Sequence, residues 1–126
     1  MASNADLAIK FFEASSKGEN DALKALCDPQ LEVRQNGGPK LGIDALLGLS
    51  NSVLRVAPDF RYENAVRVST DDGWVEEHDA CGTVPDGTTF RIAACVVASV
   101  KDGRITSLHE YLDSAAARPL IKALST

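Results

Sequence analysis

The sequence has no run of basic residues. Its 126 residues carry 13 Lys and Arg against 18 Asp and Glu, a net charge of −5, and the cations are scattered. A phosphate backbone needs clustered positive charge, so no nucleic-acid partner is expected. No apolar stretch reaches the roughly 20 residues that cross a bilayer, so no membrane association is expected either. The opening residues, MASNADLAIKFFEASSKGEND, lack a basic segment followed by an apolar one. No secretory signal is therefore expected, and the cytoplasm is the expected location. Cysteine is sparse: Cys27, Cys81 and Cys95 form an odd set with no CxxC pair and read as reduced, packing thiols. Zinc spacing, a P-loop and GxGxxG are all missing, so neither metal nor cofactor is expected. Repeats and low-complexity linkers are absent too, and the length suits one domain, residues 1–126.

What is present is a change of period. Up to Pro58 the pattern is helical. Ser3 can cap a first helix that buries Leu7, Ala8, Phe11 and Phe12 and ends at Gly18. Asn20 can cap a short second helix, stopped by Asp28-Pro29. LEVRQN reads as a short strand, GGPKLG as a loop and IDALLGLSNSVLRVA as a third helix. From Phe60 the alternation is that of strands. FRYENAVRV sets Phe60, Tyr62, Asn64, Val66 and Val68 against Arg61, Glu63 and Arg67. The turns DDG, PDGT and KDG then separate three more strands, and Asp-Gly between alternating runs is a strong hairpin signal. A four-stranded antiparallel meander is expected, with FRIAACVVASV as a central strand buried on both faces. SAAARPLIKALST can add a last helical turn or two, with Pro119 early in it. Helices followed by a meander predict an α+β fold, in which a cone-shaped, curved antiparallel sheet wraps the N-terminal helices and encloses a pocket.

One strand is ambiguous. In GWVEEHDACG, Val75, Glu77, Asp79 and Cys81 share one face, and Trp74, Glu76, His78 and Ala80 share the other. Each face mixes apolar and ionisable side chains, so alternation alone does not say which is buried.

The order of elements, with DGTTFRIAACVVASVKDGRITSLHEYLD, resembles the nuclear transport factor 2-like superfamily, and within it the SnoaL-like polyketide cyclases, ketosteroid isomerases and limonene-1,2-epoxide hydrolases. The most specific piece runs from Asp102-Gly103-Arg104-Ile105 through Tyr111 to Asp113. This resemblance implies the fold, while the reaction varies across so widely used a scaffold. By the register of the epoxide hydrolases, Asp79 and Glu110 would be the two pocket carboxyls. Leu108 takes the place of a family Trp and Glu77 that of a bridging Arg. Arg34-Gln35-Asn36 replaces Tyr-Gln-Asn, and Arg34 could supply the missing cation. The position of the isomerases' catalytic Asp is held by Gln35 and Asn36, so that activity is not carried over. The register points Val75, Glu77, Asp79, Cys81, Leu108, Glu110 and Leu112 inward, and Trp74, Glu76, His78, His109 and Tyr111 outward.

The resulting expectation is a pocket for a small apolar molecule, worked by Asp79 and Glu110 as acid and base, with Asn36, Arg34 and Glu77 beside them. Phe12, Tyr62, Cys81, Ile92, Ala94, Val96, Leu108 and Leu112 would line it. The activity would be that of a cofactor-independent hydrolase, isomerase, lyase or cyclase. The alternatives are a binding module that catalyses nothing and an interaction protein with a plugged pocket. Against each polar residue stands a plainer reading, as a solvated group on a sheet edge. His78 and His109, with Glu76 and Asp113 nearby, lack metal-ligand spacing. They are expected beside Trp74, Tyr111 and Val97 in a homodimer interface on the outer sheet face. Cys81 lacks a base on its own face and is not expected to be a nucleophile.

Overall fold

The structure is a computed structural model that describes residues 3–126. Helix α1 spans Asn4–Lys17 and starts in a capping box: Ser3 Oγ accepts from the Asp6 N–H while the Asp6 carboxylate accepts from the Ser3 N–H. Gly18 ends it at φ 68°, returning its N–H to the carbonyls of Ala14 and Ser15. Helix α2, Asn20–Leu26, is capped by Glu19 without a side-chain hydrogen bond, and Asn20 is its first residue rather than its cap. Strand β1, Cys27–Gln35, begins before the expected LEVRQN and passes through Asp28-Pro29. It is an edge strand, where a proline costs no ladder bond. Helix α3, Ile43–Val56, follows.

The meander is as expected: β2 Arg61–Thr70, β3 Gly73–Thr83, β4 Thr89–Lys101 and β5 Arg104–Leu112, followed by α4, Arg118–Leu124, with Pro119 in its first turn. Asp102 and Gly103 both take positive φ, as a two-residue hairpin turn requires. Gly73 is required for another reason, since a Cβ there would lie 1.9 Å from the Ala98 carbonyl oxygen. The sheet order is β1-β5-β4-β3-β2. All neighbours are antiparallel except β1, which returns parallel to β5. The curved sheet and four helices make the fold α+β.

The helices cover one face only. On β4 the side chains of Phe90, Ile92, Ala94, Val96 and Ala98 are buried while Arg91, Ala93 and Val97 on the other side are exposed. The expectation of a strand buried on both faces is thus corrected: β4 is central, but its outer face is open in the single chain. Strand β2 departs from its expected alternation as well. Asn64 takes φ 58° and the pairing with β3 shifts between Glu63 and Val66. A bulge adds one residue and reverses the parity beyond it, so Tyr62 and Arg67 turn inward while Val66 and Val68 are exposed. The core under the sheet packs Phe11 and Phe12 of α1 against Trp74, with ring centroids 6.2 and 5.3 Å away.

Candidate functional site

The helix-covered face encloses a cavity of about 480 Å³, a volume usual for a small-molecule site. Ile92, Ala94 and Val96 of β4 form its floor, with Leu108, Glu110 and Leu112 of β5 beside them. Phe12 and Ser15 of α1, Tyr62 of β2, and apolar side chains of α3 and α4 close the other sides. Of the eight expected lining residues, seven are walls; Cys81 is not. Cys81 is buried on the far side of β3, across from Arg91, and burial raises its thiol pKa. Leu41, Leu49 and Ile121 line the cavity yet are 41%, 40% and 51% exposed, which marks an apolar mouth between the β1–α3 loop, α3 and α4.

The polar groups of the cavity gather at the end where β1 meets β5. Gln35 pairs with Glu110 across the two strands, and its Nε2 donates to Glu110 Oε1 at 2.8 Å. Burial pushes the Glu110 carboxyl above the usual glutamate range; the Gln35 hydrogen bond and the nearby His78 pull the other way. Tyr62 is likewise raised, by burial first, with the charges of Glu110 and Glu76 adding to it. Its hydroxyl lies 3.1 Å from Ser15 Oγ. A carboxyl and a phenol that both favour their neutral forms can each donate a hydrogen bond within apolar walls.

The expected partner of Glu110 is elsewhere. On β3 the buried face is Trp74, Glu76 and His78, and the other carries Val75, Glu77 and Asp79. This reverses the orientation that the epoxide-hydrolase register implied. Trp74 accounts for the physical reason: an indole buries more apolar surface than any other side chain on this strand, and it is 2% exposed against Phe11 and Phe12. Glu76 and His78 follow it inward and satisfy one another. His78 Nδ1 lies 2.6 Å from Glu76 Oε2, and the guanidinium of Arg67 donates from Nε and Nη2 to Glu76 Oε1.

Asp79 therefore stands outside the cavity. It accepts from Asn64 Nδ2 at 2.9 Å and Arg91 Nη1 at 3.0 Å, and these hydrogen bonds hold its carboxyl below the usual aspartate range. Glu77 is exposed on the same outer face, between Val66 and Cys95. Arg34 donates to the Gly38 carbonyl and to Glu32, and does not reach Glu110. Asn36 takes φ 49° and its Oδ1 accepts from the Leu112 N–H. Its side chain ties the end of β1 to β5 and is not a cavity wall. Of the five expected catalytic residues, only Glu110 faces the cavity. His109 does point outward, with Nε2 2.9 Å from the carboxylate oxygen Oε2 of Glu32.

The groups missed in the sequence are Gln35, Glu76 and His78. The signal for the last two was in GWVEEHDACG itself: with Trp74 inward, period-2 alternation carries Glu76 and His78 inward as well. Among the described residues no cluster of three or more His, Cys, Asp or Glu could hold a metal ion, and no helix is long and apolar enough to cross a membrane.

IdmH of Streptomyces antibioticus, a candidate polyketide cyclase, superposes with a TM-score of 0.84 at 20% identity, over 96% of this chain and 99% of its own. PrhC of Penicillium brasilianum superposes at 0.83 with 14% identity, over 97% and 87%. A candidate polyketide cyclase of Pseudomonas putida does so at 0.80 with 17% identity, over 92% and 96%. At such identities the likeness is one of fold. No curated protein sequence matches the chain. The model of the SnoaL-like domain matches residues 8–108, most of the chain, and the protein belongs to that family, within the nuclear transport factor 2-like superfamily.

Proposed function

We propose that this protein is a cofactor-independent acid–base enzyme, of the isomerase, cyclase, lyase or hydrolase kind, acting on a small and mostly apolar molecule. The observation that carries the reading is Glu110. It is an ionisable group in the wall of an otherwise apolar cavity, its pKa raised by burial, with Gln35 occupying Oε1 and Oε2 left for a ligand. A carboxyl whose pKa is raised by burial holds its proton more tightly than a free glutamate and can donate it to a ligand oxygen as charge develops there. Epoxide opening by an Asp79–Glu110 pair is not part of this reading, because the two carboxyls occupy opposite faces. The likeness in fold to candidate polyketide cyclases is compatible with a substrate that carries a carbonyl.

A probe ketone tests the reading. Incubated with the protein in D2O, 2-acetylnaphthalene should gain deuterium beside its carbonyl faster than in buffer, and Glu110→Gln should lose the gain. Binding of the ketone without exchange would favour the second reading, a non-catalytic module for a hydrophobic ligand, which the apolar walls and open mouth also support.

A homodimer through the outer sheet face accompanies the proposal, in the cytoplasm. Val66, Val68, Val75, Val97 and Tyr111 are 40–63% exposed there, a row of apolar side chains that a second copy would cover. Trp74, expected among them, is not available, since it lies in the core. Sedimentation at micromolar protein should give a dimer, and a clean monomer would contradict the interface.

A further inference from the structure

The cavity walls are apolar except at Ser15, Gln35, Ser50, Tyr62 and Glu110. These side chains fall into two groups. Gln35 and Glu110 sit where β1 meets β5. Ser15 of α1 joins the other two, with its hydroxyl beside that of Tyr62 on β2 and its carbonyl accepting from Ser50 on α3. Strand β4 measures the separation of the groups. Glu110 pairs beside Val96, whereas Tyr62 lies two strands across from Ile92, four residues away along β4. Glu110 and Tyr62 thus enter from opposite corners of the cavity floor, roughly 15–20 Å apart at the backbone. Both reach inward, and the charge of Glu110 acts on the Tyr62 hydroxyl.

The Tyr62 ring is fixed in place. Phe12 and Phe60 pack edge-on against it, each with its ring centroid 5.1 Å away. The hydroxyl is held 3.1 Å from Ser15 Oγ, and burial keeps the phenol in its neutral form. Each of the two hydroxyls carries one proton and can also accept. One of the two protons lies between the oxygens. The other has no acceptor among the described residues, whichever hydroxyl carries it. Ser50 does not complete the pair, since its own hydroxyl donates to the Ser15 carbonyl at 3.2 Å. The pair can therefore give one hydrogen bond to a ligand and take one from it. That is the complement of a hydroxyl group, which both donates and accepts.

We propose that Ser15 and Tyr62 form a hydroxyl-recognition site, and that the ligand is an elongated, largely hydrocarbon molecule with two oxygen functions: a carbonyl that meets Glu110 and, at its far end, a hydroxyl that meets the Ser15–Tyr62 pair. The proposal rests on the reading of Glu110 as donor to a ligand oxygen and adds the group at the other end of the ligand. Ser15 and Tyr62 set specificity and take no part in bond making. The sign of the effect is diagnostic. A hydroxyl gives up its water on entering an apolar cavity, so without a partner it weakens binding. A site that hydrogen-bonds a ligand hydroxyl instead favours that ligand and rejects the analogue lacking the group.

Equilibrium dialysis with two matched pairs of ketones tests it, at a pH that keeps the added hydroxyl neutral. One pair is 2-acetylnaphthalene and 6-acetyl-2-naphthol; the longer pair is 4-acetylbiphenyl and 4-acetyl-4′-hydroxybiphenyl. In the unaltered protein the hydroxylated member of at least one pair should bind about 3–10-fold more tightly than its parent. Tyr62→Phe, which keeps the ring, should remove that advantage and leave the affinity of the parent ketone in place. Ser15→Ala should reduce it, and Tyr111→Phe on the outer face should preserve it. Parents that bind as well as or better than both hydroxylated ketones overturn the proposal and leave the Glu110 reading standing. An advantage that survives both Tyr62→Phe and Ser15→Ala overturns the assignment to this pair. If none of the four ketones binds, the reading of the cavity as a ligand site falls with it. Binding with the hydroxyl advantage but without deuterium exchange overturns the enzymatic reading and supports the recognition site.

Discussion

Glu110 and Asp79 are the same kind of group on neighbouring parts of one sheet, and the two faces of the sheet send them in opposite directions. On the helix-covered face, burial raises Glu110. On the open face, Asn64 and Arg91 lower Asp79, and the surrounding charges form a surface network in which Arg91 also meets Glu63 and Arg61 meets Glu63 and Asp59. A carboxyl beside exposed cations stays ionised and screened by solvent. One beside apolar walls holds its proton more tightly than it would in water, which suits it to giving that proton to a ligand. Position along the strand does not distinguish the two; the face does.

The two faces should differ most at Glu76. It is 1% exposed and joins Arg67 to His78, so Glu76→Ala leaves a partly buried cation and a buried imidazole without an acceptor. A loss of roughly 3–5 kcal/mol is expected in urea unfolding. Glu63→Ala, which removes an acid from the outer network, should leave the unfolding midpoint almost in place. Equal effects would mean that the two faces do not differ as described.

Next in size is the cavity itself. Ala94→Trp should fill the floor, cost about 1–3 kcal/mol in overpacking, and abolish uptake of an apolar fluorescent probe while the circular dichroism of the folded chain persists. Undiminished uptake would show that probes bind elsewhere.

The smallest effects concern pH, and their signs are opposed. Glu110, raised in the folded state, binds its proton more tightly there than in the unfolded chain. Its contribution to stability is present below the unfolded value and is lost as pH rises through the folded one. Glu110→Gln should therefore be as stable as the parent or more so above that window. Asp79, lowered in the folded state, contributes above its unfolded value, and the contribution is lost as pH falls through the folded one. Asp79→Asn should be slightly less stable at neutral pH and equal in acid. Thermal unfolding from pH 3 to pH 8 reads both.

The order of elements was legible because each signal was local. The Ser3 cap, the helical stripe of Leu7, Ala8, Phe11 and Phe12, and the Asp-Gly turns need no knowledge of the rest of the chain. Strand β5 has the orientation expected from the family register: Leu108, Glu110 and Leu112 face the cavity, and His109 and Tyr111 do not. Strand β3 has the opposite orientation to the one that register implies. Its two faces hold similar mixtures of apolar and ionisable residues, so a shift of one residue passes unnoticed in the pattern yet exchanges every side chain between faces. The bulge at Asn64 was hidden for a similar reason, since one residue of positive φ in β2 leaves composition untouched. What decides β3 is tertiary: Trp74 needs Phe11 and Phe12, and Glu76 needs an arginine that only the bulge turns inward. The parallel return of β1 onto β5, which brings Gln35 to Glu110, is likewise invisible to local alternation.

Carboxyl-detected NMR titration of ¹³C-labelled protein reads the contrast between the two carboxyls directly. Glu110 is predicted to titrate above the ordinary glutamate value of about 4.3, and Asp79 below the ordinary aspartate value of about 3.9. A Glu110 that titrates at or below 4.3, with Asp79 unchanged or higher, would contradict the assignment of the helix-covered face as the site of acid–base chemistry.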